Sequence, residues 1–111
     1  MSARYPKHAR LLTSKEFAFV RRKGRRLWGS TLIIDIKPTK KSTSRLGLSV
    51  SRRYGKAVKR NRFKRQIREL FRRHSAQFAE PLDVHVSPQF KHAPYTYPSL
   101  TQEFIKLLNI S

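Results

Sequence analysis

Between Arg52 and Arg73 the chain reads RRYGKAVKRNRFKRQIRELFRR, a segment with helical periodicity that also carries eleven Lys and Arg residues against one acid, Glu69. Phe63, Ile67, Leu70, Phe71, His74 and Phe78 recur at separations of three, four or seven, which makes an apolar stripe along one side of a helix. Such a stripe needs an apolar surface to cover, so the rest of the chain has to supply one, and alternating segments elsewhere predict a sheet. The remaining surface of the helix is a positive field. A merely solvated helix would intersperse acids for i, i+4 pairing, and here only Glu69 is available. A polyanionic partner is expected.

The 111 residues are read as a single domain, 1–111. A chain of that size buries roughly two thirds of its unfolded surface. Phe17, Leu32, Ile34, Leu48, Val50, Phe63, Ile67, Val84 and Phe104 lie in separate patterned segments and are the expected core. The balance of 26 basic to 6 acidic residues, formally +20, repels itself unless a partner or counterions screen it. A nucleic-acid backbone is the commonest such partner. No stretch approaches the about 18 apolar residues of a membrane span, and the start lacks a signal-peptide apolar region, so an unexported protein is expected. The chain has no cysteine, which excludes disulfides and thiolate chemistry and agrees with a cytoplasmic location.

Residues 1–10 form a basic stretch broken by Pro6 and are expected to be a loose arm. Ser14 is the expected N-cap of a short helix over 15–23, closed by Gly24. TLIIDIK, 31–37, predicts a strand stopped by Pro38, with a further short strand near Leu27. Residues 39–44 suit a hairpin loop into RLGLSVS, 45–51, a half-buried strand. The long helix starts at Ala57. Leu82, Val84 and Val86 alternate with Asp83, His85 and Ser87 in a last strand closed by Pro88. A loop with Pro94, Tyr95, Tyr97 and Pro98 follows, and Ser99 is the expected cap of a final helix reaching Asn109, with Leu100, Phe104, Leu107 and Leu108 on one side. The order is αβββαβα, an α+β fold.

On the long helix, Arg60, Lys64 and Arg68 follow i, i+4, i+8, while Asn61, Arg65, Arg68 and Arg72 follow i, i+4, i+7, i+11. Both series flank the apolar stripe and suit phosphate recognition, where a guanidinium fork grips oxygens bidentately or stacks on a base. Gly55 marks a turn before this helix. Two readings of it stand side by side: an ordinary strand-to-helix turn, or a phosphate site at the amides of Ala57, Val58 and Lys59.

Arg45 to Phe71, RLGLSVSRRYGKAVKRNRFKRQIRELF, resembles the signature region of the bacterial ribonuclease P protein family: a GLSVS-type strand, a basic turn, a Gly, and an Arg-Asn-Arg box, here Arg60, Asn61 and Arg62. More loosely, Arg10-Leu11 with Phe17, Val20 and Gly24 is similar to that family's N-terminal helix, and Pro81 to Val86 to its last strand. The resemblance implies an α/β sandwich with a four-stranded sheet and a left-handed βαβ crossover. It further implies a cytoplasmic subunit that joins a catalytic RNA and assists removal of the 5′ leader from precursor tRNA. Carried over by position, Arg52, Arg53, Lys56, Arg60, Asn61, Arg62, Lys64, Arg65 and Arg68 contact the catalytic RNA, and Phe17 and Ser49 belong to a cleft for the leader. The same resemblance assigns Mg²⁺ to the RNA, with no protein catalytic residue and no obligate protein partner. No protein metal site is expected either, since the chain has no cysteine and His85 with His92 lacks a carboxylate nearby. The chain departs from the family where Ser87-Pro88-Gln89 replaces a strand end leading into Arg, and where Arg21 takes the place of a second helix aromatic, with Phe19 displaced from that face.

Phe17 has two readings, a base-stacking ring worth roughly 1–3 kcal/mol or a core residue beside Val20. Trp28, Tyr54, Tyr95 and Tyr97 are expected to cover core edges. A nuclease using paired histidines would need them to converge, and the positions of His8, His74, His85 and His92 give no such signal. Asp35 and Asp83 read as isolated strand acids. Two further functions compete with the ribonucleoprotein reading: a ribosomal or general RNA-binding protein, which the Arg-Asn-Arg box in its strand and turn context disfavours, and a membrane-surface helix, disfavoured because Phe63, Ile67, Leu70 and Phe71 are needed over the sheet.

Overall fold

Strict alternation builds the sheet in the computed structural model, which describes residues 13–89 and 96–110. The arm 1–10 with His8, the Arg10-Leu11 pair, and His92, Pro94 and Tyr95 of the late loop lie outside the described residues. Strand β2, Leu32–Pro38, turns Leu32, Ile34 and Ile36 to one face and Ile33, Asp35 and Lys37 to the other. Strand β4, Leu82–Pro88, sets Val86 and Val84 opposite Ile34 and Ile36, and His85 opposite Asp35. With β1, Arg25–Trp28, and β3, Arg45–Leu48, they form a four-stranded sheet in the order β1-β2-β4-β3.

That order corrects the expected hairpin. Residues 39–44 join β2 to β3, but β4 lies between those strands, antiparallel to β2 and parallel to β3. A parallel pair cannot be closed by a short turn, and helix α2, Ala57–His74, supplies the crossover from β3 to β4. The strand expected over 45–51 stops at Leu48, because Ser51 caps a 3₁₀ turn, Arg52–Tyr54, by accepting from the Arg53 amide at 3.2 Å.

Helix α1, Ser14–Lys23, begins one residue earlier than expected, with Thr13 as its N-cap in place of Ser14. Glu16 stands three residues after Thr13, so the two exchange backbone and side-chain bonds: Thr13 N–H donates to Glu16 Oε1 at 2.7 Å, and Glu16 N–H to Thr13 Oγ1 at 3.2 Å. Ser14 would have had Phe17 in that reciprocal position. Helix α3, Tyr97–Leu107, repeats the device with Thr96 as cap and Ser99 as the reciprocal partner. Tyr97 and Pro98 thus belong to the helix and not to a loop, since a proline fits a first turn whose amides have no intrahelical partner.

The core lies on one sheet face. Phe63, Ile67, Leu70 and Phe71 of α2 and Leu100 and Phe104 of α3 are buried against Leu32, Ile34, Leu46, Val84 and Val86. Phe78 falls past the end of α2, beyond a 3₁₀ turn at Ser75–Gln77, yet rejoins the core edge-on to Phe71 with ring centroids 6.0 Å apart. Full burial of each large side chain is worth about 1.5–3 kcal/mol. Glu103 anchors α3 to the β1–β2 turn by accepting from the Thr31 and Leu32 amides at 2.8 and 2.7 Å and from the Ser30 hydroxyl at 2.7 Å. Gly29 is needed beside it, because a Cβ there would lie 2.2 Å from Glu103 Oε1.

Helix α1 covers the opposite, polar face, where its Val20 is buried. Arg45 pins it down: the guanidinium meets both oxygens of the buried Asp83, at 3.0 and 2.9 Å, and reaches Glu16 at 2.7 Å. Asp83 is therefore half of an ion pair and not an isolated acid. Replacing Arg45 with Met should lower stability by roughly 3 kcal/mol, since it strands a buried carboxylate. Urea unfolding of the two proteins measures this, and a loss under about 0.5 kcal/mol would show that the pair does not hold α1 to the sheet.

Candidate nucleic-acid interface

Burial of the α2 stripe forces the cations of that helix onto the surface left over. Asn61, Arg62 and Arg65 are exposed, while Arg60, Lys64 and Arg68 sit half-buried at the margin of the stripe. Arg52, Arg53 and Lys56 are exposed on the turn that precedes the helix. All nine residues expected at the catalytic-RNA surface are thus gathered on α2 and its lead-in.

The lone acid of α2 does not dilute this face. Glu69 accepts from Arg72 and, at 2.8 Å, from Arg73, and these two guanidinium groups hold its carboxyl below the usual range. Arg72, which belongs to one of the helical series, is thereby turned to an intrahelical pair. Among the described residues no acid pairs with Arg52, Arg53, Lys56, Arg60, Arg62, Lys64 or Arg65. Arg60 Nε is buried without a hydrogen-bond partner, a state that costs about 1–3 kcal/mol until a partner is found. Lys56, the N-cap, makes no side-chain cap.

The second candidate lies on the other face of the sheet. Arg26, Asp35, His85 and Gly47 stand side by side in register across β1, β2, β4 and β3. Arg26 Nε donates to Asp35 Oδ1 at 2.7 Å, His85 Nδ1 lies 3.3 Å from Asp35 Oδ2, and His85 Nε2 lies 2.8 Å from Ser49 Oγ. Asp35 and His85 are 1% and 2% exposed, so this is a buried polar network. Phe17 lies flat on His85, with ring centroids 5.1 Å apart and 13° between planes. The ring is half-buried, one face against the imidazole, and is not part of the hydrophobic core on the other side of the sheet.

Beside this network opens a cavity of about 280 Å³ lined by Arg21, Arg26, Ser49, Ser51, His85, Ser87 and Gln89, among others. The positions at which the chain departs from the family pattern, Arg21 and Ser87 to Gln89, all reach this one cavity. A larger groove on the other flank of α1 contains Phe19, Lys15, Lys37 and Lys40, but also Glu16, Glu80 and Asp83, half of the six acids in the chain. It is the less favourable surface for a polyanion.

Sequence reasoning missed the Arg26–Asp35–His85–Ser49 chain. The signal was present, since Asp35 and His85 both occupy polar-face positions of otherwise apolar strands. It was unreadable while β2 was paired with β3. Of the other aromatics, Tyr54 packs on Phe63 with centroids 5.5 Å apart, Tyr97 joins the core margin, and Trp28 is 62% exposed beneath the Arg26 guanidinium. His74 is half-buried near Phe104.

A mixed sheet with helices on both faces, where α2 carries a cationic surface whose single acid is paired within the helix, defines a nucleic-acid-binding α+β protein. The ribonuclease P family model matches residues 5–110, and the chain belongs to that family. It is 41% identical over 102 residues to the ribonuclease P protein component of Chlamydia abortus, covering 89% of this chain and 70% of that one. Over 94 residues it is 34% identical to the component from Finegoldia magna, covering 85% and 82%. The solved RNase P protein of Staphylococcus aureus superposes with a TM-score of 0.82 at 26% identity over 91% of this chain and 93% of that one. That of Thermotoga maritima gives 0.78 at 28% identity over 92% and 97%. The chain is a subunit of a bacterial ribonucleoprotein endonuclease that matures tRNA 5′ ends.

Burial pushes the His85 pKa below its ordinary 6.5, and Asp35 opposes that shift only in part. Below pH 6.5 the unfolded imidazole takes up a proton that the folded one refuses, so stability falls with acidification until the folded pKa is reached. Unfolding free energy should drop between pH 7 and pH 5 by up to about 1.4 kcal/mol per pH unit. In His85→Gln this slope should flatten. A wild-type stability independent of pH over that interval would contradict the burial argument.

Proposed function

We propose that the exposed face of α2, with Arg52, Arg53 and Lys56, docks the catalytic RNA of ribonuclease P, and that the cleft beside α1 receives the single-stranded 5′ leader of precursor tRNA. One observation carries the first half: the cations from Arg52 to Arg65 have no acidic partner within the described chain, while the one acid of α2 is committed to Arg72 and Arg73. A folded helix that keeps so many like charges uncompensated gains most from phosphates, whose condensed counterions are released on binding. Arg60, Asn61, Arg62, Lys64, Arg65 and Arg68 supply forked and point-charge donors along about two and a half turns of rigid helix.

The leader half is supported by the cleft itself, with Phe17 and Ser49 at one buried network and the cations Arg21 and Arg26 on its rim. The essential Mg²⁺ is assigned to the RNA. Five of the six carboxylates are already engaged: Glu16 and Asp83 converge on Arg45, Asp35 is held by Arg26 and His85, Glu69 by two arginines, and Glu103 by the β1–β2 turn, which leaves the exposed Glu80. Among the described residues no three potential ligands cluster. On this reading catalysis is assigned to the RNA, and the protein positions RNA and substrate in the bacterial cytoplasm with no obligate protein partner.

Protein alone should leave precursor tRNA intact, and addition of the cognate catalytic RNA with Mg²⁺ should restore 5′ cleavage. Cleavage by RNA-free protein would overturn this assignment. For Arg60→Ala with Arg62→Ala, affinity for the catalytic RNA should fall and the slope of log K against log salt should become shallower by about 1.5, since each phosphate contact contributes about 0.7–0.9. An unchanged slope across a salt series would exclude the box as the RNA-facing element.

A further inference from the structure

The Asp35–His85–Ser49 chain fixes where its protons lie. Both Asp35 oxygens accept from Arg26, at 2.7 and 3.2 Å, and an ionised carboxylate has no proton to give, so His85 Nδ1 is the donor across the 3.3 Å contact. A second proton on His85 would place a cation where burial, Arg21 and Arg26 all oppose it, with Asp35 the one group in its favour. The neutral ring then offers only a lone pair at Nε2. Ser49 Oγ, 2.8 Å away, must give its single proton to it. Phe17, flat against His85, keeps the ring in the plane that this requires. What Ser49 has left for the cavity beside it is lone pairs.

We infer that Asp35 and His85 are positioning residues that fix Ser49 as an obligate hydrogen-bond acceptor, so that this cleft selects an unpaired nucleotide presenting a hydrogen-bond donor. The inference rests on the reading that the cleft holds the single-stranded leader. The donor is an N–H or O–H group, and an unpaired nucleotide has two sources of one, the exocyclic amine of a base and the ribose 2′-hydroxyl. Arg21 and Arg26, on the rim of the same cavity, suit the adjoining phosphate. Ser49 is thereby distinguished from an ordinary surface serine, whose hydroxyl rotates to donate or accept as the ligand requires.

The test uses the reconstituted holoenzyme and precursor tRNAs whose leader is altered one position at a time, either by 2′-deoxy substitution or by a base lacking its amine. For the wild type, one position should lose about 3- to 10-fold in affinity in one of the two arms, the magnitude of a single net hydrogen bond. That arm names the donor. Ser49→Ala should bind altered and unaltered leaders alike, and Ser49→Thr, which keeps the hydroxyl, should restore the difference. In Asp35→Asn the amide can donate to Nδ1, which moves the ring proton to Nε2, so the preference should vanish or invert. Nitrogen NMR of His85 should show the proton on Nδ1 in the wild type and on Nε2 in this variant. A wild-type proton on Nε2 overturns the inference, as does discrimination that is absent in the wild type or unchanged in Ser49→Ala. If instead the protein adds no affinity for leader-bearing over leaderless precursor, the cleft reading fails and this inference with it.

Discussion

The burial of Phe63, Ile67, Leu70 and Phe71 against the sheet is the contact on which everything else depends. It stabilises the fold by roughly 6–12 kcal/mol on the burial scale, a sum comparable to the net stability of a small domain. It also dictates rotation. Once those four side chains point inward, Asn61, Arg62 and Arg65 have no orientation but outward, with Arg60, Lys64 and Arg68 along the margin. The same helix thus closes the core and sets out the charge. A chain of formal charge +20 tolerates this arrangement because much of the charge lies on one rigid element and the RNA phosphates can neutralise it together.

Strand β4 has the corresponding role on the opposite side. By inserting between β2 and β3 it brings Asp35 next to His85, and Gly47, with no side chain, next to His85 on the other flank. Arg45 at the start of β3 meets Asp83 in the same way and carries Glu16 of α1 with it. Both the pin that holds α1 and the network under Phe17 are therefore products of strand order. Helix α1 roofs one side of the cleft because Arg45 and Val20 fix it there.

This division explains what could be read in advance. The stripes of α2 and α3, the alternation of β2 and β4, and the basic face with its Arg-Asn-Arg box are local patterns, and each was legible from residue spacing. Helix starts were off by one at Thr13 and by three at Thr96, because a reciprocal cap depends on two residues and not on the most obvious serine. The hairpin from β2 to β3 was misread because a short polar connector looks the same whether or not the strands it joins are paired. That error hid the cleft network, whose members lie 36 and 50 residues apart.

On the proposed function, the two faces of the sheet serve two different RNAs, the catalytic RNA at α2 and the leader at the α1 cleft. The absence of cysteine allows a single one to be placed at will, as Asn61→Cys on the exposed helix face or Arg21→Cys on the cleft rim, and coupled to a short photoreactive group. Irradiation of holoenzyme bound to precursor tRNA should join the probe at 61 to the catalytic RNA and the probe at 21 to the 5′ leader. Crosslinks from both positions to the same RNA, or with the two partners exchanged, would contradict the account.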